Sequence, residues 1–147
     1  MNEHSSREGT DGRQLVAHAR DALQHAHAPY SRFRVGAAVL DDRGRVFSGA
    51  NVENASYGLS MCAERVAIFA AVASGARRIV ALAVTAERVS AITPCGACRQ
   101  VIAEFCDTDT PVFSDAGANE IRQSLAGDLL PHAFDAAALA GRPPPTR

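Results

Sequence analysis

Residues 61–105 read MCAERVAIFAAVASGARRIVALAVTAERVSAITPCGACRQVIAEF, and their pattern decides the fold. The stretch opens on an Ala-rich apolar run of helical length, 62–74, with Gly75 placed to end it. Residues 79–84 form a continuous apolar run, the pattern of a strand buried on both faces. A second helix is predicted over 96–105. Helix, buried strand and helix in this order predict a sheet with helices packed against it.

The flanks extend the same architecture. Residues 13–27 place Leu15, Val16, Ala19, Ala22, Leu23 and Ala26 on one helical stripe, and Ala28-Pro29-Tyr30-Ser31 breaks it. Residues 33–40 are rich in strand formers and run into the turn Asp41-Asp42-Arg43-Gly44. A second strand over 45–52 completes a hairpin. Short strands are predicted over 111–113 and 121–125. The order αββαβαβ(β) implies a mixed sheet with helices on both faces. One domain is expected over 13–140, with flexible polar tails at 1–12 and 141–147.

Composition narrows the class. A formal net charge of −1 lacks the basic excess of a nucleic-acid binder and favours a small-molecule partner. No apolar run reaches the length of a membrane span, and the N-terminal residues have no apolar core of a secretory signal. A cytoplasmic location is therefore expected, where four cysteines serve better as metal ligands or catalytic groups than as disulfides.

Three of those cysteines, Cys62, Cys95 and Cys98, fall at the starts of the two central helices. A helix N-terminus carries partial positive charge and free N–H groups, which favour thiolate over thiol. The i, i+3 spacing of Cys95 and Cys98 puts both sulfurs on one side of a turn. Three protein ligands suit catalytic zinc, because one tetrahedral position stays open. Glu64, two residues past Cys62, is close enough to that position to move protons without ligating. Cys106 lies about 12 Å further along the helix axis than Cys98 and reads as a buried apolar thiol. A Cys-x-x-Cys pair alone would equally suit a structural zinc turn or a redox pair. A Cys two residues before Glu, followed by Pro-Cys-x-x-Cys, is the signature of zinc deaminases.

The chain resembles the small, homotetrameric type of cytidine deaminase. The matching stretches are Pro29-Tyr30-Ser31-Arg32-Phe33-Arg34-Val35-Gly36-Ala37-Ala38, Asn51-Val52-Glu53-Asn54-Ala55-Ser56-Tyr57-Gly58, Cys62-Ala63-Glu64-Arg65 and Pro94-Cys95-Gly96-Ala97-Cys98-Arg99-Gln100. Leu129-Leu130-Pro131-His132-Ala133-Phe134 matches as well, so the resemblance runs from the first helix to Phe134. It implies a three-layer α/β/α sandwich with a mixed sheet of about five strands. It also implies one zinc ion per subunit and hydrolytic deamination of cytidine and 2′-deoxycytidine in pyrimidine salvage. Phe33 would stack on the pyrimidine, Asn51 and Glu53 would bind the ribose 3′-hydroxyl, and the Ala63 N–H would meet the base carbonyl. As i and i+2 on one strand, Asn51 and Glu53 would face the same side.

Arg65 would offset the negative charge of three thiolates on zinc, and Gln100 would help in the same way. Tyr57 and Phe134 would come from neighbouring subunits to close a shared active site. Departures from the family pattern are Thr93 where Ser is frequent, a short loop at 86–91 and extra polar residues at both ends. None removes a chemical group. His18, His25 and His27 read as surface or partly buried side chains, and His132 carries no argued role. Competing readings are a deaminase of the same fold acting on a cytosine-containing antibiotic, a nucleic-acid editing enzyme, and a non-catalytic zinc module. The set Phe33, Asn51, Glu53 and Phe134 favours a nucleoside. A short chain without a basic stripe disfavours nucleic acid, and a structural zinc site has no use for Glu64.

Overall fold

A computed structural model describes residues 11–141. Of the two expected tails, 1–10 and 142–147 lie outside the described residues. Asp11 is not tail: its carboxylate accepts from the Arg13 N–H and caps the first helix, α1 (Gly12–Leu23). The helix buries Leu15, Val16, Ala19, Ala22 and Leu23, the predicted stripe. It stops short of the predicted 27, because the chain turns at Gln24 and His27 pairs with Val52 in a parallel bridge.

Five strands make one mixed sheet: β1 (Val35–Asp41), β2 (Val46–Ala50), β3 (Ile79–Ala86), β4 (Pro111–Gly117) and β5 (Glu120–Leu125). Their spatial order is β2-β1-β3-β4-β5. Only β3 and β4 are parallel, which requires the crossover through α3 (Gly96–Phe105). The hairpin turns where predicted. Gly44 supplies a φ of +77°, and the buried Asp41 carboxylate accepts from the backbone N–H of Arg43 and Arg45 and from the Arg45 guanidinium.

Alternation along the strands sorts two cores. Ala38, Ala81 and Ala83 face α1 with Phe113, while Val35, Ala37, Val39, Leu82 and Val84 face α2 (Ala63–Ala73) and α3. The α1 face is lined with small residues, so this helix lies close on the sheet. A Cβ on Gly36 would stand 2.0 Å from the Ala19 carbonyl oxygen. Helices on both faces of a mixed five-stranded sheet give the α/β/α sandwich expected from the sequence. A 3-10 turn (Tyr57–Leu59) precedes α2, and two short helices, α4 (Ala126–Leu129) and α5 (Ala136–Leu139), follow β5.

The antiparallel register pairs Val35, at the start of β1, with Ala86, at the end of β3. The segment before β1, the loop after β3 and the N-terminus of α2 therefore meet at one end of the sheet. Among the described residues no helix is long and apolar enough to cross a membrane.

Candidate active site

The two cysteine-bearing segments share one local design. Cys62 is the N-cap of α2 and Cys95 the N-cap of α3, both in extended backbone and neither cap helped by a side chain. Cys98 sits one turn into α3 and is fully buried. Packing α2 and α3 on the same face of the sheet brings the two N-termini together.

The three sulfurs lie within 4.8 Å of one another, with Cys62 Sγ 3.8 Å from Cys95 Sγ. A tetrahedral zinc with bonds of about 2.3 Å to sulfur sets its ligand atoms about 3.8 Å apart. Soft thiolates suit zinc, and among the described residues no fourth side chain joins the cluster. The donor set therefore fits a zinc ion with one position left for chemistry.

Charge is arranged to support this. The Arg65 guanidinium donates from Nη2 to Cys62 Sγ at 3.4 Å. A hydrogen bond from Cys98, reinforced by those from Arg65 and Cys95, outweighs burial and holds the Cys62 thiol at about 5. The same bond to Cys62, together with burial and the Glu64 charge, pushes the Cys98 thiol up. Glu64, in the first turn of α2, is only 4% exposed. Burial, with a smaller contribution from the Cys62 thiolate, pushes its carboxyl above the ordinary range.

A cavity of about 330 Å³ opens beside the cluster. Phe33, Asn51, Glu53, Cys62, Ala63, Glu64 and Cys95 line it, so seven residues singled out in the sequence converge. Ser31, Val35, Ser60, Met61, Ile92 and Thr93 complete the wall, and no sequence motif had marked them for this role.

Four residues depart from their expected settings. β2 ends at Ala50, so Asn51 and Glu53 lie beyond the strand that was to orient them. The Asn51 backbone N–H still donates to the Val35 carbonyl at 3.1 Å, and its side chain accepts from the Val35 N–H and donates to the Phe33 carbonyl, both at 2.8 Å, so it extends the contact between the two segments past the end of β2. Glu53 accepts from the backbone N–H groups of Tyr30 and Ser31. A hydrogen bond from the Ser31 side chain leads those that hold its carboxyl below the ordinary range. Phe33 precedes β1 instead of opening it.

Gln100 does not face the sulfurs. Its side chain donates to the Phe134 carbonyl at 2.7 Å, because at this position on α3 it points toward the C-terminal segment. Tyr57 and Phe134 lie outside the cavity wall and are strongly exposed, at 74% and 61%. Cys106 is mostly buried, and burial pushes its thiol up to about 12.

Known proteins are similar to the chain over most of its length. The family model for the cytidine and deoxycytidylate deaminase zinc-binding region matches residues 10–114. A cytidine deaminase of Halalkalibacterium halodurans is 49% identical over 126 residues, covering 86% of this chain and 96% of that protein. The crystal structure of a cytidine deaminase from Burkholderia pseudomallei superposes with a TM-score of 0.78 at 46% identity, covering 91% of this chain and all of that one. The Mycobacterium tuberculosis cytidine deaminase structure gives a TM-score of 0.77 at 44% identity, covering 86% and 98% of the two chains. With its cysteine cluster, buried glutamate and matched length, the chain belongs to the cytidine and deoxycytidylate deaminase family, zinc enzymes whose reaction is hydrolytic deamination.

Proposed function

We propose that this chain deaminates cytidine and 2′-deoxycytidine to uridine and 2′-deoxyuridine with release of ammonia, as a cytoplasmic enzyme of pyrimidine salvage. The observation that carries the reading is Glu64, buried beside three clustered cysteines in the wall of a cavity of nucleoside scale. One domain, expected over 13–140 and extended at its start by the Asp11 cap and Gly12, holds the whole set.

Cys62, Cys95 and Cys98 would hold the zinc ion, which would supply Lewis acidity beside the cavity. Glu64 does the proton work. It takes one proton from the attacking water and delivers it to the pyrimidine ring nitrogen; it then takes the proton of the hydroxyl formed at C4 and gives it to the amine, which leaves as ammonia while C4 becomes a carbonyl. Its raised affinity for protons suits a group that must both accept and donate near neutrality.

The remaining roles follow from donors and acceptors left over. α2 has no side-chain cap, so the Ala63 N–H is free to meet the base carbonyl. Phe33 presents its ring to the pyrimidine face. Asn51 and Glu53 each keep hydrogen-bonding capacity after fixing the 30–35 segment, and that capacity meets the 3′-hydroxyl. Arg65 offsets the charge of the thiolates. The assembly is a homotetramer in which Tyr57 and Phe134 complete a neighbour's site, a role supported by their exposure here.

The test combines zinc stoichiometry with loss of cytosine absorbance on a panel of cytidine, 2′-deoxycytidine and cytosine-containing antibiotics. Cytidine is turned over by the wild type. Glu64→Ala keeps zinc and loses turnover by about 10³-fold, within the span of a general acid–base group. A zinc-loaded Glu64→Ala variant with near-full activity, or a wild type inert toward cytidine, would sink the reading.

A further inference from the structure

Arg99 follows Cys98 on α3, and all three of its guanidinium nitrogens donate to acceptors of the chain itself. Nε donates to the Pro94 carbonyl at 2.7 Å, Nη1 to the Leu129 carbonyl at 2.9 Å and Nη2 to Thr93 Oγ1 at 3.1 Å. The Pro94 carbonyl belongs to the peptide that joins Pro94 to Cys95. Thr93 and Cys95 both line the cavity. Arg99 thus ties the strand of chain entering the second cysteine pair to the helix it starts and to the end of α4.

The three metal ligands do not need such help equally. Cys98 is fully buried and held by core packing, whereas Cys95 is exposed. Its position rests on its backbone, and Arg99 fixes the peptide on its N-terminal side. We propose that Arg99 is a positioning residue for the metal ligand Cys95, setting how tightly the zinc site is held. A planar fork with donors in three directions performs this task, and a lysine ammonium, a compact charge on a flexible stem, does not reproduce it.

Arg20 serves as the control for a merely structural arginine. It pairs in bidentate fashion with Asp115 and joins α1 to β4, away from the cavity wall. The experiment follows zinc transfer from loaded protein to a chromogenic chelator, alongside unfolding midpoints, for wild type, Arg99→Lys and Arg20→Lys. Arg99→Lys is expected to release zinc at least tenfold faster, the usual scale for groups that orient metal ligands. Arg20→Lys lowers the unfolding midpoint but releases zinc at the wild-type rate. Wild-type release from folded Arg99→Lys overturns the inference. If Arg99→Lys does not fold, Thr93→Val decides by removing one of the three acceptors. Release about threefold faster supports the inference, as expected for one hydrogen bond lost, and an unchanged rate overturns it. The inference rests on the zinc reading. Wild type that retains no zinc overturns both, whereas loaded wild type with an unaffected Arg99→Lys overturns this one alone.

Discussion

Asp115, only 8% exposed on β4, accepts from Arg20 Nε and Nη2, from Thr85 Oγ1 and from the Gly117 N–H. The Arg20 pair leads these contacts in holding its carboxyl at about 2. A depressed folded-state pKa stabilises the fold above the unfolded value of 3.8 and loses that contribution as pH falls toward 2. The contribution is at most about 2.5 kcal/mol, the free-energy equivalent of the difference between 3.8 and about 2. Asp115→Asn should therefore lower stability near neutrality, and its deficit against wild type should shrink between pH 4 and pH 2. Urea unfolding across that range checks this, and a deficit that stays constant down to pH 2 would refute it. Nothing in the sequence announced this network, because its partners lie 95 and 30 positions apart. The same reason separates the legible and illegible parts of the site. Cys62, Glu64, Cys95 and Cys98 act through short spacings at helix starts, which a sequence displays. The partners of Asn51, Glu53 and Gln100 depend on where distant segments come to rest. A side-chain amide or carboxylate bonds whatever backbone arrives beside it.

At the scale of elements, a glycine positions α2. A Cβ on Gly49 of β2 would stand 2.5 Å from the Ala67 nitrogen and 2.7 Å from the Ala63 carbonyl oxygen. The contact is with helix backbone, which has no flexible end to yield. Gly49→Ala should lift the first turns of α2 and cost about 1–3 kcal/mol by overpacking. That turn carries Ala63 and Glu64 and is capped by Cys62, so zinc affinity and kcat should fall together with the unfolding midpoint. Thermal unfolding and zinc titration of the variant check this. A wild-type midpoint would mean that α2 is not held by this contact. Gly58→Ala is the control, because nothing lies within 4 Å of its added Cβ.

Most elements were legible because their periodicity and their burial agree. The stripe of α1, the turn at Asp41–Gly44 and the apolar β3 each answer to one dominant force. Element ends were less legible. The Ala26 side chain continues the α1 stripe, yet the bridge between His27 and Val52 claims the chain first. β4 runs on to Gly117 because β5 pairs with it past the apolar residues, through a register shift after Asp115.

For the whole molecule, the decisive feature is what the single chain leaves uncovered. Tyr57 and Phe134, expected to close a neighbour's site, stand 74% and 61% exposed and outside the wall of this chain's own cavity, and Leu59 close to Tyr57 is 69% exposed. Phe134 is held in place by its own chain through Gln100, so its ring is presented outward. A shared site predicts complementation between two crippled subunits. Glu64→Gln destroys its own site but still lends Phe134 to a neighbour, and Phe134→Ala keeps its Glu64 but lends nothing. In hybrids assembled from equal amounts of the two, about a quarter of the sites combine an intact Glu64 with an intact Phe134 from the next subunit. Co-refolded mixtures should therefore recover about a quarter of wild-type activity, well above the mean of the two parents assayed separately. Light scattering on the same samples should give the mass of four chains. Activity equal to the parental mean in a confirmed hybrid tetramer would mean that each chain closes its own cavity. Phe134 would then have to swing inward from its present position, and the tether from Gln100 would have to break.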